Sequence, residues 1–344
     1  MRLRAAIRHA LLLALLALAS VPWALRGTAQ PAGQSFAARI ERLSEDGGVF
    51  DTDNLISNER TFLSVVPALK AAGVTGGAYI GVGPDQNFSY IAQIRPAIAF
   101  IIDIRRDNLL LHLLFKAVFA QARTRVEYLA LLTGRPPPDA VDRWRDASLE
   151  HIVGYIEKAN AESAEATLRL DRRMREAIAL FGVPLSTADI ATIQRFHHAF
   201  IASGLSLKFE SLGRRPQAVY PTFRDLIVAT DRAGRASSFL ASEADFQFVK
   251  SLEAQDLVLP VVGDIGGAHA LPAIADLMTT RGDRLSAFYI SNIETYLGER
   301  YGQFVRNVAR LPRDARSVII RSTFRASVSS SSLEPVNQFV SSNR

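Results

Sequence analysis

Cysteine is absent from the 344 residues. That excludes a disulfide framework, a thiolate zinc site, an iron–sulfur cluster and a Cys nucleophile, and it leaves the redox compartment open. Excess charge is also scarce. The chain has 40 Lys and Arg against 34 Asp and Glu. Arg2, Arg4, Arg8 and Arg26 fall in an opening stretch without acids; taking these four from 40 leaves 36 against 34 for the rest. A near-neutral body gives no clustered basic face, so no nucleic-acid partner is expected. After the opening stretch, no apolar run reaches the ~20 residues of a spanning helix. HExxH, GxxxxGK[ST] and Gly-x-Ser-x-Gly are all missing. The histidines lack ligand spacing: His197 and His198 are adjacent, which turns them about 100° apart on a helix. No metal is expected.

What is present is ordinary for a globular chain, 48% apolar and 22% charged. The length suits about two domains, or one α/β domain with a large insertion. The early arginines, an apolar run over residues 10–19 and the small residues Gly27 and Ala29 are the three parts of a secretory signal, with cleavage expected after Ala29. The mature chain is then exported, periplasmic or secreted, with no membrane span. If the leader stays uncleaved, it anchors the protein instead, although Pro22 and Arg26 interrupt it.

The remainder divides by pattern. Helical spacing of Phe62, Val65, Val66 and Leu69 precedes a buried strand at 78–83. A short helix at 87–94 and a continuous apolar run at 97–104 that ends in an acid come next, then one long helix at 108–132. Residues 133–254 open with Gly134-Arg135-Pro136-Pro137-Pro138 and read as a helical insertion, with segments at 139–160, 161–181, 187–203 and 236–254. Ser186-Thr187-Ala188-Asp189 is a cap for the third. Strands resume at 257–265, 285–293 and 317–324, with helices at 269–280 and 294–309 between them. Residues 326–344 are serine-rich and read as a flexible tail. The alternation predicts an α/β fold, a doubly wound and mostly parallel sheet. Its two halves are residues 30–132 and 255–325, separated by the insertion. Ligands of such sheets sit at the carboxyl ends of the strands.

Gly81-Val82-Gly83-Pro84-Asp85-Gln86-Asn87 leaves the first strand and opens a helix. Glycine lets backbone approach a ligand, and helix-start N–H groups favour its polar or anionic atoms. Asp103, 22 residues beyond Gly81, ends the next strand. A carboxylate there accepts both hydroxyls of a ribose. The dinucleotide fingerprint is not met, because Gln86 stands where it requires glycine. Arg105 and Arg106 read either as an anion contact or as solvated side chains beside a cap at Asp107 or Asn108. Glu59 and Arg60 can approach the site from the side, Tyr90 is expected in the core, and His269, after Gly266-Gly267 at a strand end, is a candidate for a general base.

Tyr79-Ile80-Gly81-Val82-Gly83, the Asp103 strand end, Asp264 at a third strand end and Ser291-Asn292 at a fourth resemble successive motifs of class I S-adenosylmethionine-dependent methyltransferases. YIGVGPDQNFSYIAQIRP followed by AFIIDIRRDNLLLHLLFKAVF is similar to a family of uncharacterised bacterial methyltransferase-like proteins. The resemblance covers roughly 55–130 and 255–325. It implies a methyltransferase-like Rossmann fold and S-adenosylmethionine as cofactor, with a small-molecule acceptor. By the resemblance, Gly81, Gly83, Asp85, Gln86 and Asn87 line the methionine and ribose end, joined by Arg105. Asp103 holds the ribose hydroxyls, Asp264 lies near the adenine, and Ser291 and Asn292 face the transferred methyl. Asn292 or Asp264 is the residue expected to orient the acceptor in catalysis. Three departures stand out. Tyr79 occupies the position of a usual acid, Asp85 replaces the third glycine, and Ser291-Asn292-Ile293-Glu294 lacks the Pro-Pro-aromatic sequence of amino-methylating members. They leave room for an alternative, an exported non-catalytic binding protein with a degenerate methyltransferase fold.

Overall fold

A computed structural model describes residues 34–50, 52, 55–211, 217–325 and 328–343. The leader expected at 1–29 lies outside them. Among the described residues, no helix is long and apolar enough to cross a membrane. Ser35–Arg344 form one unit.

Its strands are β1 (Ala78–Val82), β2 (Ile98–Asp103), β3 (Val258–Val262), β4 (Leu285–Ser291), β5 (Arg313–Arg325) and β6 (Val328–Pro335). They form one six-stranded sheet in the order β3-β2-β1-β4-β5-β6. The first five pair in parallel, and β6 runs antiparallel to β5. The chain is therefore α/β with a mostly parallel mixed sheet. Every residue of β1 is buried, the consequence of covering both faces of a parallel strand with helices. Because β1 pairs with both β2 and β4, sheet growth reverses direction there. A crevice opens beyond the carboxyl ends at such a reversal.

The helices are α1 (Phe36–Leu43), α2 (Val66–Ala71), α3 (Gln86–Ile94), α4 (Arg106–Gln121), α5 (Arg125–Thr133), α6 (Leu149–Lys158), α7 (Ala164–Ala179), α8 (Thr187–Ser203), α9 (Phe223–Ile227), α10 (Glu243–Ala254), α11 (Ala270–Arg281), α12 (Glu294–Leu297), α13 (Tyr301–Arg310) and α14 (Val336–Ser342). Phe88 of α3, Phe115 and Phe119 of α4, Tyr128 of α5 and Phe246 of α10 form a fully buried aromatic cluster with Phe239 beside them. This cluster ties the segment after residue 133 to the helices next to β1. The Ser186–Asp189 capping box opens α8, as its sequence predicts.

Four expectations need correction. The helix read over 139–160 is α6 preceded by a separate 3-10 turn at Val141–Trp144, and the one read over 294–309 is α12 and α13 joined by a 3-10 turn at Gly298–Arg300. The single helix read over 108–132 is two helices, because Thr124 takes extended backbone and its side chain accepts from Glu127 N–H, starting a new helix. The tail read as flexible is β6 and α14. Backbone pairing, which apolar periodicity does not reveal, holds β6 to β5. Ser329 is also tied to Thr61, whose hydroxyl donates to the Ser329 carbonyl at 2.7 Å. α14 then buries Val336, Phe339 and Val340, with Phe339 against Phe304 of α13.

The turn after β1 is held from within. Asn87 is fully buried, and its amide nitrogen donates to the carbonyls of Val82, Gly83 and Pro84 at 3.0, 3.2 and 2.7 Å. Its Oδ1 accepts from the Tyr79 hydroxyl at 2.8 Å. A Cβ on Gly81 would lie 1.9 Å from that Oδ1 and 2.6 Å from the Tyr79 oxygen. Gly81 therefore makes room for this bond and not for a ligand. Gly81→Ala is expected to lower stability by about 3 kcal/mol through overpacking. Gly76→Ala, at φ +69 with nothing within 4 Å, should cost about 1 kcal/mol of backbone strain. Urea unfolding of the two variants checks the order, and equal losses would contradict it.

Candidate functional site

Beyond the carboxyl ends of β1–β4 lies a cavity of about 490 Å³. Val82 and Gly83 from the turn, Gln86 from α3, Asp103 and Arg105 from the β2 end, Asp264 beyond β3 and Ser291 and Asn292 at the β4 end all line it. Glu59 lines it from the loop before β1. Phe50 and Tyr296 form an edge-to-face pair on the wall, as do Phe209 and Tyr220. The segment after α8 thus contributes to the site, which the sequence pattern did not reveal.

The sequence-derived candidates divide here. Gly83, at φ +82, brings bare backbone to the cavity. Gly81, Asp85 and Asn87 are not among the lining residues. Gly81 and Asn87 shape the turn, as above. Asp85 is buried, 6% exposed, with its Oδ1 unpartnered, and burial pushes its carboxyl up to about 7. Behind the turn, the His112 Nε2 contacts the Gly83 carbonyl at 3.0 Å. Burial holds that imidazole down to about 4, so it stays neutral and donates to the carbonyl.

Asp103 reaches the cavity in a form that the sequence did not disclose. Its Oδ1 accepts from Arg105 backbone N–H at 2.9 Å and from Nε at 3.1 Å, and its Oδ2 accepts from Nη2 at 3.0 Å. Arg105 is 6% exposed and also donates to the Thr52 carbonyl at 2.6 Å. A carboxylate offers about four lone-pair positions, and Arg105 takes three. A ligand diol therefore meets a carboxylate–guanidinium pair, with one acceptor position left on Oδ2. The reading of Arg105 as a solvated side chain beside a cap is corrected: the short Asp-x-Arg spacing folds it back onto Asp103. Arg106 turns away to Asp189, bound through Nε at 2.9 Å and Nη2 at 3.0 Å.

Asp264 is similarly engaged. Its Oδ1 accepts from Gly266 N–H at 2.9 Å and its Oδ2 pairs with Arg300. Its own N–H donates to Glu45 at 2.8 Å. Among the described residues, Ser291 is the one non-glycine strand residue in the left-handed region, at φ +53, and the β4–β5 register shifts beside it. Bulges of this kind re-aim side chains near sites. Here the Ser291 hydroxyl is turned onto Glu59 and lies 3.3 Å from Asn292 Oδ1.

Other candidates settle elsewhere. Arg60 pairs with Asp225. Tyr90 is fully buried and donates to the Phe62 carbonyl at 2.7 Å. His269 is exposed beside the Arg42 carbonyl and does not line the cavity, so it has no place as a base there. His197 and His198, despite their divergence, approach the two oxygens of Asp171, because α7 places that carboxylate between them.

Fold and cavity together define an α/β protein with a cavity of mixed polar and apolar lining at the carboxyl edge of its parallel strands. The chain belongs to the family described as a domain of unknown function (DUF7790), which it matches over residues 55–343. No curated protein matches it. The match runs unbroken through the helical segment and through β6 and α14.

Asp85 gives a pH-dependent prediction. Its folded carboxyl is raised from 3.8 to about 7, so the stability it contributes is full below about pH 4 and falls as pH rises to about 7. Asp85→Asn removes the ionised form. The variant should match the wild type near pH 4 and exceed it by on the order of 4 kcal/mol at pH 8. Urea unfolding at the two pH values reads the difference, and a variant no more stable at pH 8 would refute the assignment.

Proposed function

We propose that the cavity binds an adenosyl ligand, S-adenosylmethionine first, and that the protein is a methyltransferase-like member of the Rossmann-type folds. The observation that carries this reading is that the Gly83 turn and the Asp103 carboxylate reach one cavity at the strand reversal. Sheet order and the antiparallel last strand are compatible with it. In this reading the Gly83 backbone faces the sugar and sulfonium region, and the Asp103–Arg105 pair holds the ribose hydroxyls. Asp264 and Arg300 flank the adenine. Methyl transfer needs the acceptor placed in line with the sulfonium carbon and little else if the acceptor is already nucleophilic. The orienting role falls to Asn292, since Asp264 is committed to Arg300. The export expected from the leader remains part of the proposal.

A second reading, ligand binding without chemistry, is favoured by one feature: Asp103 and Asp264 are both neutralised by arginines. Titration calorimetry of the full chain with S-adenosylmethionine and S-adenosylhomocysteine tests the first reading. Binding is expected for both, weakened at least tenfold (about 1.4 kcal/mol) in Asp103→Ala. Heat from adenine nucleotides alone would replace it with a nucleotide-binding reading. Binding of both ligands with no methyl loss in the presence of candidate acceptors would favour the second.

A further inference from the structure

Among the described residues that line the cavity, each carboxylate has a basic partner except one. Asp103 has Arg105 and Asp264 has Arg300, on the β2–β3 side of β1. On the β4–β5 side stands Glu59, 1% exposed. Ser291 and Ser322 donate their hydroxyls to its two oxygens, and Tyr289 is a third hydroxyl beside it. Tyr79 and Tyr90 close the rear; burial raises both phenols, and the charge of Glu59 adds to the rise. Among the described residues, no cation acts on it. A buried carboxylate without a countercharge is costly, and a partner that enters the site removes the cost.

The neighbouring amide makes the same demand. Gln86, 6% exposed, leaves its Oε1 buried with no donor. Its nitrogen reaches the Tyr289 hydroxyl at 3.4 Å. The hydroxyl donors at this end are spent on Glu59, and Gln86 Oε1 is left an acceptor without a donor. Ser291, on left-handed backbone at φ +53, turns its hydroxyl onto this carboxylate.

We infer that the Glu59–Gln86 end of the cavity is a subsite for a protonated amine carried by the ligand. An ammonium is donor-only, with up to three N–H groups, and it supplies both the missing charge and the missing donor. A carboxylate or phosphate would face Glu59 unscreened, and a quaternary ammonium would leave Gln86 Oε1 unpaired. The inference rests on the reading of the cavity as a small-molecule site. The amine belongs either to the amino-acid end of an adenosyl cofactor or to the acceptor.

The probe is n-butylammonium, with butyrate, 1-butanol and tetramethylammonium at equal ionic strength, followed by thermal unfolding and calorimetry of the full chain. Butylammonium alone is expected to stabilise the wild type. Glu59→Gln should lose the response, and Gln86→Met should weaken it at least tenfold while keeping its sign, so the result does not depend on one variant folding. If butylammonium does no better than butyrate or 1-butanol, the inference is overturned; so too if Glu59→Gln and Gln86→Met both respond as wild type. Competition between butylammonium and S-adenosylmethionine assigns the amine to the cofactor, and simultaneous binding assigns it to the acceptor. A butylammonium response without any S-adenosylmethionine binding sinks the adenosyl reading and leaves this subsite standing.

Discussion

The amide of Asn87 binds three successive carbonyls of the turn after β1 and takes the Tyr79 hydroxyl across a bare Gly81. Around this knot the turn leaves the sheet with Gly83 facing the cavity and α3 starting at Gln86. Without the knot, these buried carbonyls would lose their shared side-chain donor, and the Gly83 carbonyl would keep only His112 behind it. Tyr79 belongs to the same arrangement. Its hydroxyl supports the turn while its ring packs beside Tyr90.

Charge in the cavity is arranged in two parts. On one side of β1, arginines clamp the carboxylates of Asp103 and Asp264. On the other, Glu59 is held by hydroxyls alone. The first part can exchange hydrogen bonds with a neutral polar ligand at little electrostatic cost. The second holds a buried acid that a cation would relieve. This asymmetry follows from which element reaches each strand end: Arg105 is two residues past Asp103, whereas Glu59 comes from a loop ahead of β1.

Much of the fold was legible because buried parallel strands are apolar on both faces and are punctuated by glycines and terminal acids. β1 to β4, α3, α8 and α11 fall close to the expected spans. β6 was not legible. Its serines carry no apolar pattern, and an edge strand needs only backbone partners and the hydroxyl contacts that Thr61 and Ser322 provide. The break at Thr124 was hidden for a different reason: apolar residues continue on both sides of it, and only the cap divides them.

The sequence alone placed Gly83, Asp103, Asp264, Ser291 and Asn292 at strand ends, because residue order along a strand determines which end a side chain occupies. Glu59 could be placed near the site, but its role could not be read. Partnership was decided by tertiary structure. Whether Asp103 is free or clamped, whether Glu59 meets a cation, and whether Asn87 faces a ligand or its own backbone all depend on angles and distances between segments far apart in the chain. Residue identity supplies the hydrogen-bonding groups, and only the packed fold determines which of them are already satisfied and which still await a partner.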